Sequence, residues 1–201
     1  MPPLPPITRN LMIACLAVLC LEQIPQLELL RWFALWPVQT GYFMPWQLVS
    51  YAFLHEPRDL SHLFFNMLGL WMFGMELERL WGGRRYMQFL LASTLAAAAT
   101  QLAFSLLFGA ISPVIGASGA IFGLLIANGM LFPRRPIALF MVFPTDMRTA
   151  VLIFGALELF LGLGAGSGTM VAHFAHLGGM LGGYLMILWW RRRPPSYRRV
   201  R

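Results

Sequence analysis

Residues 87–108 read MQFLLASTLAAAATQLAFSLLF, a stretch without a single formal charge. A helix of that length rises about 33 Å, enough to cross the roughly 30 Å of hydrocarbon in a bilayer. Residues 171–190 form a second charge-free run. Shorter apolar runs at 60–75, 118–132 and 149–163 are bounded by arginine, proline or glycine, and a first run from about 10 to 30 is interrupted in its outer half by Glu22, Pro25 and Glu28. The expectation is an all-α polytopic membrane protein with six transmembrane helices. Composition agrees, with 58% hydrophobic and 11% charged residues and a mean hydropathy of +0.66, whereas soluble domains are about a quarter charged. Soluble, disordered and disulfide-stapled classes are excluded. Cys15 and Cys20 share one apolar run and read as packing residues. Arg9 before residues 11–21 has the sign of a signal peptide, but no small-residue cleavage site follows, so residue 1 onward reads as mature protein.

All fifteen basic residues are arginine. With the N-terminus inside, Arg9, Arg79, Arg84, Arg85, Arg134, Arg135, Arg148, Arg191, Arg192, Arg193, Arg198, Arg199 and Arg201 are cytoplasmic, and only Arg31 and Arg58 are outside. Both termini are therefore expected to be cytoplasmic. The net charge of +7 reads as this topology signal plus attraction to the anionic lipid bilayer, not as nucleic-acid binding. Residues 1–190 form one expected domain, and 191–201 an arginine-rich cytoplasmic tail. The long outer connection 31–59 carries Trp32, Trp36, Tyr42, Trp46 and Tyr51, an aromatic density suited to the headgroup level. The glycine-rich loop 164–168 is expected to be mobile.

Polar side chains inside spans are costly and mark function. They are His62 and Asn66 in the second span, Ser118 in the fourth, Glu158 in the fifth, and His173 and His176 in the sixth. Counted from the inner boundary at the helix rise, Asn66, Ser118 and His176 lie about 20–22 Å deep and His62 about 25 Å. The four share one layer in the outer half of the bilayer. Gly119 and Gly123, Gly178 and Gly182, and Gly179 and Gly183 recur every fourth residue, which lets helix backbones approach closely. A lone serine usually bonds its own backbone and a lone histidine usually packs. In one layer beside close-packing glycines, they read as an activated nucleophile and its base. Ser118 follows a Gly116-Ala117 turn, so its N–H belongs to the unpaired first turn of a helix and suits an oxyanion. His62 and Asn66, four apart on one face, stand at a depth to donate to the same oxygen.

These residues resemble a known family. Gly116-Ala117-Ser118-Gly119 with Ile121-Phe122-Gly123, Ala175-His176-Leu177-Gly178-Gly179, and His62-Leu63-Phe64-Phe65-Asn66, together with Phe73-Gly74 and Leu77-Glu78-Arg79, are similar to the motifs of the rhomboid intramembrane serine proteases, in the family's chain order. The resemblance covers about residues 46–190. It implies a Ser118–His176 dyad without a third acid, and an oxyanion site from the Ser118 N–H, His62 and Asn66. Gly116, Gly119, Phe122, Gly178 and Gly179 would be supporting residues. It also implies no cofactor, and substrates that are membrane-anchored proteins cut in or near their transmembrane segments. Residues 164–169 would be a cap, 31–59 an embedded outer loop, and the setting a bacterial inner membrane with the site opening outward. Two departures stand out: Trp46 is followed by Gln47 where the family often has arginine, and Phe122 replaces a frequent tyrosine. Stacking on the histidine needs only the ring.

Other intramembrane chemistries fail on inventory. There is no lysine for a Ser-Lys dyad, Asp59 and Asp146 fall in or beside loops, and no His-Glu-x-x-His helix exists. His173 and His176 lack a clear third protein ligand, so no metal is expected. Glu158 reads as a protonated carboxyl bonded to a neighbouring helix rather than as a proton relay, because no second acid lies nearby. The alternatives are an inactive rhomboid-like client-binding protein, which would be expected to lack Ser118 or His176, and a small transporter, which would carry ionisable groups across the full bilayer.

Overall fold

The fold is that of a computed structural model in which residues 3–139, 142–164 and 170–192 are described. The loop residues 165–169 and the tail from Arg193 onward, including Arg198, Arg199 and Arg201, lie outside the described residues.

Helix α1 (Pro6–Glu22) begins on a proline, whose fixed φ suits the first turn. Its unpaired N–H groups are met from a distance: the buried Glu78 carboxylate accepts from Ile7 N at 2.9 Å, Thr8 N at 2.7 Å and the Thr8 hydroxyl at 2.8 Å. A carboxylate there also opposes the positive end of the helix dipole. The interruption expected in the outer half of the run from about 10 to 30 is where the helix ends. Proline at 25 has no N–H to continue the ladder, a 3₁₀ turn (Pro25–Leu27) intervenes, and Glu28 takes φ 46. Helix α2 (Leu29–Phe33) then leaves so that the two segments are bent by 102°. The connection onward is anchored by paired backbone bonds between Leu35 and Val114 and by α3 (Gln47–Ser50). Tyr51, expected among the interfacial aromatics, is instead a core residue whose hydroxyl donates to the Thr94 carbonyl at 3.0 Å.

Asp59 caps α4 (Leu60–Gly69) by accepting from Ser61 N. The helix runs through one π-helical turn (Leu70–Gly74) into α5 (Met75–Phe108), so it extends past the expected end of the 60–75 run. The wider turn frees backbone carbonyls, and the buried Asn128 amide donates to one of them, Phe73 O, at 3.1 Å. Within α5, Gly82 has φ 72 and ψ 160, outside the helical region. The chain reverses there: Gly74 lies against the Tyr86 hydroxyl, although twelve residues of straight helix would separate them by about 18 Å. Residues 83–108 are thus a separate helix, four residues longer at its start than the apolar run suggested.

Helix α6 (Ser118–Leu131), α7 (Met147–Gly164) and α8 (Met170–Arg192) complete the bundle. Between α6 and α7 the all-α expectation misses a hairpin: β1 (Pro136–Leu139) pairs antiparallel with β2 (Phe143–Asp146), Pro136 opposite Asp146 and Leu139 opposite Phe143. Prolines at 133, 136 and 144 exclude a helix there. Helix α8 is central and packs chiefly on α5 and α6. Its two glycine rows divide the work. Gly178 and Gly182 abut Thr100 and Ala96 of α5, while Gly179 and Gly183 abut the backbone carbonyls of Gly119 and Gly123 on α6.

Among the described residues, Leu60–Phe108 is long and apolar enough to cross a membrane, and α1 with its bent continuation passes as a pair. The surface inverts the usual pattern for water. Leu107 is 79% and Phe160 74% exposed, while Gln47, Ser93, Ser105 and Asn128 are fully buried, an arrangement that suits a hydrocarbon surround.

Candidate active site

The glycine contacts bring the first turn of α6 against the outer part of α8. Ser118 Oγ and His176 Nε2 are 2.7 Å apart, a hydrogen bond between a hydroxyl and an imidazole. Phe122, one turn on from Ser118, stacks on the His176 ring at 4.3 Å with planes 7° apart, which fixes the plane of the imidazole. The ring of Phe122 suffices for that contact.

Gly116 shapes the space in front of the hydroxyl. Its φ of 113 lies where side-chained residues are strained, and its N–H donates to Tyr51 O at 2.9 Å. A Cβ at that position would sit 2.7 Å from His62 Nε2 and 3.8 Å from Ser118 Oγ. The absent side chain therefore leaves a gap lined by an imidazole and a hydroxyl. His62 Nδ1 accepts from Glu56 N at 3.4 Å, which leaves the proton on Nε2, facing the gap. Ser118, as the first residue of α6, has an N–H with no acceptor one turn back. Asn66 is buried beside this face of α4, its Nδ2 donating to His62 O at 2.8 Å and its Oδ1 without a partner among the described residues. Four of the expected groups, Ser118, His176, His62 and the Gly116 turn, are thus brought together, and Asn66 adjoins them through His62.

Glu158 is bonded to a neighbouring helix, as its sequence reading expects, but its approach to Nδ1 of His176 was not read from the sequence. Glu158 of α7 and His173, one turn earlier on α8, close over it: His173 Nδ1 to Glu158 Oε2 is 2.6 Å and His176 Nδ1 to the same oxygen is 3.0 Å. The second contact has ion-pair distance without the alignment of a hydrogen bond. The expected absence of a third ligand-type residue beside His173 and His176 is corrected, because Glu158, His173 and His176 offer atoms within 4.8 Å of one another. Gln47 was also under-read. Its buried amide donates to Trp32 O and Tyr42 O and accepts from Trp36 N, so it ties the outer connection together without the positive charge an arginine would bring.

A rhomboid-domain family profile matches residues 42–193. The chain belongs to the rhomboid family. It is similar to proteins named rhomboid protease GlpG. That from Serratia proteamaculans (strain 568) is 31% identical over 186 residues, covering 92% of this chain and 62% of the relative. Those from Yersinia pestis (strain Pestoides F) and Yersinia pseudotuberculosis serotype O:3 (strain YPIII) are 29% identical over 187 residues with the same coverage. The chain spans less than two thirds of the length of these rhomboid relatives. The matched region takes in α3 through α8 and every residue around Ser118 named above, whereas α1, capped by Glu78, precedes it.

Proposed function

We propose that this rhomboid is an intramembrane serine endopeptidase that cleaves membrane-anchored proteins in or near their transmembrane helices. The observation that carries the reading is the 2.7 Å contact between Ser118 Oγ and His176 Nε2, a nucleophile one hydrogen bond from its base. The named proteases among its relatives support the reaction class.

In this reading Ser118 Oγ attacks the scissile carbonyl carbon as its proton passes to His176 Nε2. The carbonyl oxygen takes the electron pair and is met by the Ser118 N–H, His62 and Asn66. The C–N bond then breaks, His176 returns its proton to the departing amine, and Ser118 is left acylated. Water, deprotonated by His176, attacks the ester and releases the acid. These steps call for no cofactor. One domain, residues 1–190, carries the chemistry, and 191–201 is a cytoplasmic tail. Six spans serve the reading: α1, residues 60–81, residues 83–108, α6, α7 and α8. Both termini are cytoplasmic on the arginine count, in a bacterial inner membrane, with water reaching Ser118 from the exterior side. The exposed leucines and phenylalanines support that setting.

Reconstituted with a transmembrane reporter, Ser118→Ala and His176→Ala are each expected to abolish cleavage while remaining folded. Cleavage by either variant contradicts the mechanism.

A further inference from the structure

A buried carboxylate beside a catalytic imidazole has a definite use. Glu158 Oε2 stands 3.0 Å from His176 Nδ1 and 2.6 Å from His173 Nδ1. The 2.6 Å separation is that of a hydrogen bond and the 3.0 Å separation that of an ion pair, both shorter than the roughly 3.4 Å between ligand atoms of tetrahedral zinc with bonds of about 2.1 Å. Resting on the protease reading above, we propose that Glu158 is the positioning carboxylate of His176, held in place by His173.

The chemistry of the base supplies the reason. For Nε2 to take the Ser118 proton, its lone pair must be free, and so the ring proton must be on Nδ1. A carboxylate beside Nδ1 favours that tautomer and meets the positive charge that appears when Nε2 becomes protonated. Phe122 sets the plane of the ring, while Glu158 selects which nitrogen carries the proton. His173 donates to the same carboxylate oxygen from the next turn of α8, so Glu158 is tethered to the helix it serves. The groups facing His176 come from four helices: Ser118 from α6, His62 from α4, Glu158 from α7 and His173 from α8 itself. Among the described residues Glu158 is the acid in that set.

The test compares wild type with Glu158→Gln, which keeps the size and removes the charge. Separate aliquots of each are treated with a serine-reactive fluorophosphonate or assayed unlabelled on one reporter. Wild type is expected to label and cleave. Glu158→Gln is expected to keep KM and to lose between about tenfold and 10⁴-fold in kcat, the upper end being the loss when a triad carboxylate becomes an amide. Unchanged kcat, with wild type active, overturns the positioning role and leaves the protease reading intact. A wild type that neither labels nor cleaves defeats the protease reading first. Should Glu158→Gln fail to fold, imidazole nitrogen NMR of wild type decides. The Nδ1–H tautomer of His176 with its proton shifted downfield supports the proposal, and an Nε2–H tautomer overturns it. Zinc retained by wild type at one ion per chain and lost in Glu158→Gln also overturns it.

Discussion

At Asn66 one amide hydrogen is already committed to the carbonyl of His62, leaving the second free to act on a developing oxyanion. Asn66→Ala is expected to lower turnover by about 10² to 10³, the range for loss of one oxyanion donor, as measured by reporter cleavage at saturating substrate. An unchanged rate with lowered stability would assign the residue to the packing of α4. At this scale the sequence was most informative where two constraints coincide. Ser118 and His176 each sit at the end of a small-residue row and at one depth, so their meeting was legible. Glu158 was not. Its approach to His176 depends on how α7 is rotated about its axis, and no small-residue row in 149–163 marks which face turns inward. Gln47 was illegible for a related reason, since its three partners are backbone groups of a folded connection that has no periodicity.

Between elements, the contact of α6 with α8 holds the two reacting side chains in reach. A Cβ on Gly179 would overlap the Gly119 carbonyl, which is backbone and has no freedom to yield. Gly179→Ala is expected to lower stability by about 1–3 kcal/mol, the usual cost of forcing atoms into a packed interior, and to depress cleavage by parting Ser118 from His176. Thermal unfolding in detergent measures the first effect. Gly155→Ala serves as the control, because its Cβ would meet only Met180 Cε at an ordinary 3.5 Å; equal losses in the two variants would remove the α6–α8 argument. Helix interiors were legible from their apolar runs, while helix ends were not. Pro25 signalled the bend after Glu22 only as an interruption. The reversal at Gly82 falls in the connection that Arg79, Arg84 and Arg85 mark between the second and third apolar runs, but that the helices on both sides continue up to that glycine was not legible. The hairpin at 136–146 is four residues a strand, too short to show an alternating pattern.

For the whole molecule, pH acts through a buried group in the connection between α3 and α4. His55 is fully buried in the outer connection, its Nδ1 against Phe53 O. Burial, and then the neighbouring His62, pushes its pKa down to about 4. The unfolded chain takes up a proton as pH falls through the ordinary value near 6.5, while the folded protein refuses it until about pH 4. Stability from this group is therefore full above pH 6.5 and declines as pH falls through that window. Unfolding midpoints at pH 7 and pH 5 are expected to differ more in wild type than in His55→Gln; equal differences would remove His55 from the account.

The proposed chemistry depends on Ser118 being an activated nucleophile. The direct measurement is mass-spectrometric mapping of a fluorophosphonate on the purified protein in lipid, with Ser118→Ala and His176→Ala beside it. The account predicts one modified residue, Ser118, in wild type and none in either variant. Modification elsewhere in the chain, or equal labelling when His176 is replaced, would contradict it.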